Sequence, residues 1–432
     1  MKVLHIAPTP FFADRGCHIR IRNEIEALRQ DGIEVVLCTY HHGHDVDGIK
    51  ARRSLRIPGY TKLDAGFSPY RFLADMLLFF LVLKTAWQEK PALLHGHLHE
   101  GVLIGWAVKW CLFWRRLPLV MDMQGSLSGE LIGYGTISRQ GVLARLVLLA
   151  EKLICRMPDF FFCSSQRSCG LLYDTFGIPQ EQIMLLADVV PDGFFQDGRR
   201  QEARARLGIT GQRTVVLYTG SLMSGKGVHH LLQAAQELHQ HQPDLYFLLV
   251  GYPVEPIQRE VAAMGLEDVI HLVGQVAYED LPSWLAAADI AVDPKEEVSG
   301  EASGKILHYM AAGLPVVCFA TSNNHSLLGE HGYYAQGAGR QTLAQAIQKA
   351  AAETSQQRTG RGREGQAVIR KRYSFAMLRG LMGRQYRKWT ARTALGANCE
   401  SLMDMLPDQV DNLMISSSSL ADLGNCILAC LA

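Results

Sequence analysis

The sequence predicts an α/β protein built from two doubly wound, Rossmann-like domains. Short apolar runs at 3–7, 35–38, 214–218 and 246–251 alternate with stretches at helical spacing, the order that gives parallel sheets covered by helices. A turn-rich, aperiodic stretch at 187–198, ADVVPDGFFQDG, separates two such series and reads as the interdomain linker. The 432 residues, 48% hydrophobic and 20% charged, suffice for two ordinary cores.

Composition narrows the function classes. A formal net charge of +1 gives no general pull towards nucleic acid. Between 358 and 392, eleven Lys or Arg stand against one acid, Glu364, which reads either as a solvated helical face or as a patch for anionic lipid. The ten cysteines include no C-x-x-C pair, and MKVLHIA reads as a strand and not as a signal peptide. A reduced, cytoplasmic setting is expected, with attachment to the inner face of the plasma membrane as its variant. The apolar runs 72–83 and 102–114 are too short to span a bilayer but long enough to lie on one.

The first half opens as a βαβ unit: strand 3–7, a PTPFF turn, a helix with Ile19, Ile25 and Leu28 at helical spacing that ends at Gly32, and strand 35–38. Ligands of open parallel sheets bind beyond the carboxyl ends of the strands, so the loop 8–17 faces the cleft, with Gly16 where the chain enters the helix. The dinucleotide fingerprint G-x-G-x-x-G is absent. Arg15 and Arg20 read first as surface charge. RFLADMLLFFLVLKTAW, at 71–87, is apolar nearly all round and reads as a core helix in preference to a lipid-facing one.

A strand starting at Leu93 ends in HGHLHEG, where His95, His97 and His99 alternate. An amidohydrolase-type metal site would need further His and Asp ligands from a closed eight-strand barrel. The chain shows no eightfold repeat, so no metal is expected; His95 and His97 read as core, and His99 and Glu100 as pointing into the cleft. Strand 117–121 is followed by the polar loop DMQGSLSGELIGYG, whose Asp122, Gln124 and Ser126 are acceptor-side candidates that caps and turns explain equally well. An amphipathic helix at 143–154 and strands at 160–163 and 184–186 complete this half.

In the second half, strand 214–218 turns into TGSLMSGKGVHHLLQAA. Gly220, Gly225 and Lys226 almost complete a Walker A loop, but Gly227 replaces the hydroxyl residue that would hold Mg²⁺, which disfavours an ATPase. Lys226 still offers a point charge to a phosphate at a helix start. Strands at 246–251, 269–273 and 290–292 alternate with helices at 256–264 and 281–287. The stretch 299–317, SGEASGKILHYMAAGLPVV, is a glycine-broken loop that enters a helix and then an apolar strand. Its backbone N–H groups form an anion seat, and Glu301 suits hydroxyls better than phosphate, which together suggest a nucleotide sugar; a plain helix cap is the alternative.

These residues resemble the GT-B glycosyltransferases, specifically the large retaining family 4: Glu301, Ser303, Gly304, Lys305, Leu307, Met310, Ala311, Gly313, Pro315 and Val316 fit a subgroup form of its C-terminal signature. The resemblance covers about 1–392. It implies two facing domains, an acceptor-side one over 1–190 and a donor one over 191–372, and a helix at 373–392 returning to the first; the tail at 393–432, with its serine run and apolar end, lies outside the resemblance and is expected to be poorly ordered. It implies a retaining, metal-independent enzyme of the hexosyltransferase type, without cofactor, that moves a sugar from a nucleotide diphosphate; the apolar helices and the basic patch suggest a glycan or lipid-linked acceptor in cell-surface polysaccharide or glycolipid synthesis. The family's roles fall on Gly16 (donor phosphate), His99 (sugar and acceptor), Lys226 (diphosphate), Glu301 (sugar hydroxyls), and Gly274 with Gln275 (base). Ser303, Gly304 and Lys305 belong to the donor loop, and Arg15 and Glu100 to the acceptor side. Ser221 replaces an arginine and His308 the second acidic residue, which holds the ribose. A GT-B epimerase and a degenerate nucleotide-sugar binding protein are the alternatives.

Overall fold

The computed structural model describes residues 1–13, 15–63, 68–133, 137–138, 141–195, 200–209, 213–296, 303–337 and 340–395. Its first sheet contains β1 (Lys2–Ala7), β2 (Glu34–Thr39), β3 (Ala51–Arg53), β4 (Leu93–His97), β5 (Leu119–Met123), β6 (Phe160–Cys163) and β7 (Ile183–Leu185), all parallel, in the order β3-β2-β1-β4-β5-β6-β7. The second contains β8 (Thr214–Thr219), β9 (Leu245–Val250), β10 (Ile270–Gly274), β11 (Ile290–Asp293), β12 (Val316–Phe319) and β13 (Gly332–Ala335), also parallel, in the order β10-β9-β8-β11-β12-β13. Winding reverses between β1 and β4 and again between β8 and β11, so each sheet opens a crevice beyond the carboxyl ends of those pairs.

Strands covered on both faces have no polar side, and β6 is accordingly Phe-Phe-Phe-Cys, buried throughout. Alternation divides the first domain into two cores. Val3, Phe160 and Phe162 face α1 (Gly16–Gln30), while Leu4, Ile6 and Phe161 face the helices α2 (Arg71–Glu89) and α3 (Leu98–Cys111). Further helices used below are α4 (Leu127–Gly133), α5 (Val142–Ile154), α6 (Val228–His239), α7 (Gly304–Ala311), α8 (Ser355–Arg372) and α9 (Leu381–Leu395).

Three sequence expectations are corrected here. The helix at 71–87 is not a core helix: Ala74, Leu78, Val82 and Ala86 are buried, but Phe72 is 78% and Phe80 58% exposed. The helix predicted at 143–154 forms, as α5, with its polarity inverted. Leu143, Leu146, Leu149 and Leu153 face outward, and Glu151 is fully buried. The basic run at 358–392 is not one field, because α8 packs on the second domain and α9 on the first, with Arg361 paired to Glu353 at 3.2 Å and Arg370 over the Phe195 ring.

Helix α9 returns the chain to its beginning. Trp389 lies flat on Phe160, ring centroids 4.7 Å apart and 9° from parallel, and Tyr386 is buried beside it. The Gly380 N–H donates to Asp31 at 2.6 Å, and the Val190 N–H to the Tyr373 carbonyl at 2.8 Å, which fixes the approach. Residues beyond 395, most of the predicted tail, lie outside the described residues.

A Trp389→Ala substitution should destabilise the protein by about 3–5 kcal/mol in urea unfolding, the usual cost of removing a buried aromatic. An unchanged midpoint would mean that α9 does not hold the domains together.

Candidate active site

On the second-domain side, β8 runs into Gly220 (φ 122°) and then through Ser221 and Lys226 to α6. Gly227 has φ 77°, and a Cβ there would stand 1.9 Å from the Pro294 carbonyl oxygen. The loops after β8 and β11 are thus pressed together, which is why glycine, and not Ser or Thr, ends the Walker-like pattern. The Tyr218 hydroxyl donates to the Ser221 carbonyl at 2.7 Å and steadies the same turn.

Helix α7 starts beside this loop. The Thr219 N–H donates to the Tyr309 hydroxyl at 2.8 Å, fastening α7 to the end of β8. Lys305 reaches back to buried Asp293 at 2.6 Å and lies 4.7 Å over the Tyr218 ring. Burial alone would raise the Asp293 carboxyl, but the Lys305 ammonium overrides it and holds the group below the usual carboxylate range. Lys305, read as a donor-loop residue, therefore has its charge balanced inside the protein. His308 is buried, its Nδ1 bonded to the Gly304 carbonyl at 2.7 Å and its Nε2 to the Tyr278 hydroxyl at 2.8 Å. Burial pushes its pKa down to about 4, against the opposing Gly304 carbonyl, so the ring is neutral and satisfied at both nitrogens. Ser303 is buried at the N-cap of α7, and Gly274 (φ 88°) and exposed Gln275 close β10 on the same edge of the sheet. Glu301 lies outside the described residues.

On the first-domain side, β4 ends at His97 and the chain turns into α3 through Leu98, held in the left-handed region at φ 61°. This turn carries His99 off the strand, where it is buried as His95 and His97 are. The glycines of HGHLHEG allow it, since a Cβ on Gly96 would meet Gly101 at 2.7 Å and one on Gly101 would meet the Ile6 carbonyl at 2.8 Å. His99 Nε2 stands 3.5 Å from the Glu151 carboxylate. Glu151 also accepts from the N–H groups of Leu127 and Ser128, at 2.8 and 3.1 Å, and from the Ser126 and Ser128 hydroxyls, which organises the start of α4. Burial would raise its carboxyl, but the His99 ring and Ser128 hold it low. Sequence reasoning missed Glu151, because a lone acid on a leucine-rich helix reads as its solvent side. Gly16 is exposed at the start of α1 with open space around its Cα, and Glu100 pairs with Arg71 at 2.9 Å. Arg15 donates to the Leu63 carbonyl at 3.2 Å.

Arg20 is a correction: it is no surface charge but a buried guanidinium at the domain junction. It forms a fork with Asp122, at 2.7–3.1 Å, and donates to the Leu186 carbonyl and to Asp188, both at 2.8 Å. Asp122 is corrected with it. The residue sits on β5, not in the loop after it, and its carboxylate is enclosed by Arg20, His97 and Gln124, so it does not reach an acceptor. Burial opposes its charge, yet Arg20 and His97 hold its pKa far below the usual value. Gln124, bonded to Asp122 at 2.8 Å, extends the same network. A Cβ on Gly304 would stand 3.4 Å from the Asp188 carboxylate, so the start of α7 abuts the residues that Arg20 gathers. Arg22 pairs with Glu279 across the junction at 2.5 Å.

Comparisons with known proteins agree with this geometry. Residues 213–353 match the family described as Glycosyl transferases group 1, and residues 15–188 the Glycosyl transferase 4-like domain. A D-inositol 3-phosphate glycosyltransferase of Streptosporangium roseum is 26% identical over 327 residues, 70% of this chain and 72% of that one. Among solved structures, sucrose-phosphate synthase from Thermosynechococcus elongatus superposes with a TM-score of 0.76 at 21% identity, over 90% of this chain and 99% of that one. Anabaena Alr3699/HepE, solved with UDP and glucose, gives 0.72 at 19%, over 90% and 100%.

Replacing Arg20 by Met leaves the Asp122 carboxylate buried without its counter-ion and should cost about 3–5 kcal/mol. Adding Asp122→Asn should recover part of that loss; a double-mutant cycle in urea with no coupling energy would sink the assignment.

Proposed function

Because the chain belongs to the group 1 glycosyltransferases of the GT-B fold, enzymes of sugar transfer from nucleotide-sugar donors, we propose that it binds its donor diphosphate between the loop after β8 and the start of α7, and retains the sugar's configuration without a metal ion. One observation carries the proposal. The switch-point loops of the second sheet are locked side by side by the Gly227–Pro294 contact, and α7 begins against the first domain. As the sugar leaves, charge grows on the diphosphate, and fixed donors act most strongly there. Asp293 balances Lys305; we assign neutralisation to Lys226 at the end of the loop after β8, to the N–H groups at the start of α7 and to the backbone at Gly16. Glu301 orients the sugar hydroxyls. His99, backed by Glu151, positions the transferred sugar and the acceptor hydroxyl on one face of the cleft. With both His308 nitrogens bonded internally, the ribose is held by other groups of this edge.

The acceptor side points to a lipid-linked substrate met at an anionic bilayer. No helix of the described residues is long and apolar enough to cross a membrane. Helix α3 packs between α2 and α5, and the three, with the turn at 113–115, expose Phe72, Phe80, Trp87, Trp110, Phe113, Trp114, Leu146 and Leu149 on one side of the first sheet. Among the described residues from 71 to 156 no Asp or Glu is exposed, whereas Lys84, Lys90, Arg116, Arg145 and Arg156 are. An apolar face rich in Trp and rimmed only by cations suits the headgroup boundary of an anionic membrane.

Thermal stabilisation in EDTA across nucleoside diphosphates tests the donor site, with UDP first because HepE is also solved with UDP-glucose. A shift with one diphosphate that disappears in Lys226→Ala is expected, together with a turnover loss of about 10²–10³-fold in that variant. Glu301→Gln should be nearly inactive while folded; an unchanged rate would reduce Glu301 to a helix cap. Co-sedimentation with phosphatidylglycerol vesicles, but not with phosphatidylcholine alone, should be abolished by Leu146→Glu/Leu149→Glu, and equal recovery of the variant would remove the membrane from the proposal.

A further inference from the structure

Beneath the cleft, between the first sheet and the helices α1 and α9, lies a group of side chains that the transfer reaction does not use. His5 on β1, His95 and His97 on β4, and Glu24 on α1 are all buried, and one ligand atom from each falls within 4.8 Å of the others. We propose that these four residues hold a structural divalent cation of the zinc class in a tetrahedral cage, at a site separate from the donor cleft.

Unmet polar valence inside the cluster is the first support. Neither Glu24 oxygen accepts a hydrogen bond, although Arg20 Nε stands 3.1 Å from one of them, and His95 Nε2 has no partner. A carboxylate that accepts no hydrogen bond, beside an unpartnered ring nitrogen in a dry core, is costly unless something joins them.

Orientation is the second. His97 Nδ1 faces Asp122 Oδ2 at 3.1 Å, which directs its Nε2 lone pair into the cluster; this carboxylate–histidine arrangement is the usual backing of a metal-bound imidazole. His95 Nδ1 is bonded to the Tyr386 hydroxyl, so its Nε2 is likewise turned inward, and His5 Nδ1 lies 2.9 Å from His97 Nε2. Tetrahedral zinc with nitrogen and oxygen ligands needs ligand atoms ~3.3 Å apart. With the four ligand atoms within 4.8 Å of one another, the cage would open on its His5–His97 edge and close elsewhere.

Charge is the third. Buried Glu24 and Asp122 share the guanidinium of Arg20, so one cation stands against two carboxylates, and a bound cation makes up the difference. The inference is independent of the glycosyltransferase reading, since the ion would touch no substrate.

The test uses the full chain made without a metal-affinity tag. Elemental analysis should find zinc in stoichiometric amount, lost in Glu24→Gln and kept in His229→Gln, which lies outside the cluster. The chelator-stripped chain should gain melting temperature on adding Zn²⁺, and Co²⁺ should give the visible bands of a tetrahedral site. The Co²⁺ and melting experiments use the unaltered chain, so they decide the matter even where Glu24→Gln does not fold. Protein isolated without metal, with no melting response to Zn²⁺ and no Co²⁺ spectrum, would overturn the proposal and leave a hydrogen-bonded cluster closed by a proton or a buried water.

Discussion

The Arg20 guanidinium is the constraint on which the rest of the molecule depends. A buried cation survives only if every N–H finds an acceptor, and its acceptors come from separate stretches: Asp122 on β5, and the Leu186 carbonyl and Asp188 from the crossover after β7. Satisfying one side chain therefore fixes α1 against the sheet and fixes where the chain leaves it. The second domain starts from that exit, and the beginning of α7 comes to rest beside Asp188. The planar fork matters as much as the charge, because a lysine ammonium has no matched pair of donors for Asp122.

The donor edge follows the same logic with different groups. Asp293 ends β11 and would be an uncompensated charge in the core, so Lys305 is drawn down onto it and α7 is held by its first turn. Tyr309 holds the next turn to β8. His308, between them, bonds to the carbonyl one turn earlier and to Tyr278, which fills a position where a carboxylate would have to be desolvated against the aromatic ring of Phe194. A first turn fixed in this way suits the donor role proposed for its N–H groups, since fixed donors do not reorganise as charge develops.

Much of this was legible in the sequence, for physical reasons that also mark where legibility ended. Strands buried on both faces announce themselves as apolar runs, so nearly every strand and the alternation that makes the sheets parallel could be read, with β5 displaced by two residues. Gly227 was visible as a departure from a phosphate loop, but its cause, the Pro294 carbonyl, comes from a strand far along the chain. Arg20, Glu24 and Glu151 were illegible for one shared reason. A charged residue on a helix looks solvent-facing unless its partners are known, and Asp122, Asp188 and the Ser126–Ser128 turn lie about twenty to more than one hundred and sixty residues away.

Helix α5 shows what periodicity leaves open. Its stripe of leucines and its opposing acid define two faces, but amphipathicity does not say which face meets the core. Glu151 settles it, because the carboxylate collects the N–H groups at the start of α4 and the ring of His99, so the polar face must turn inward. The leucines are then left outside, aligned with the Trp and Phe residues of α2 and α3. Exposing that much apolar surface to water would be costly. The contact that holds His99 and the apolar face that α5 turns outward are thus two consequences of one buried glutamate.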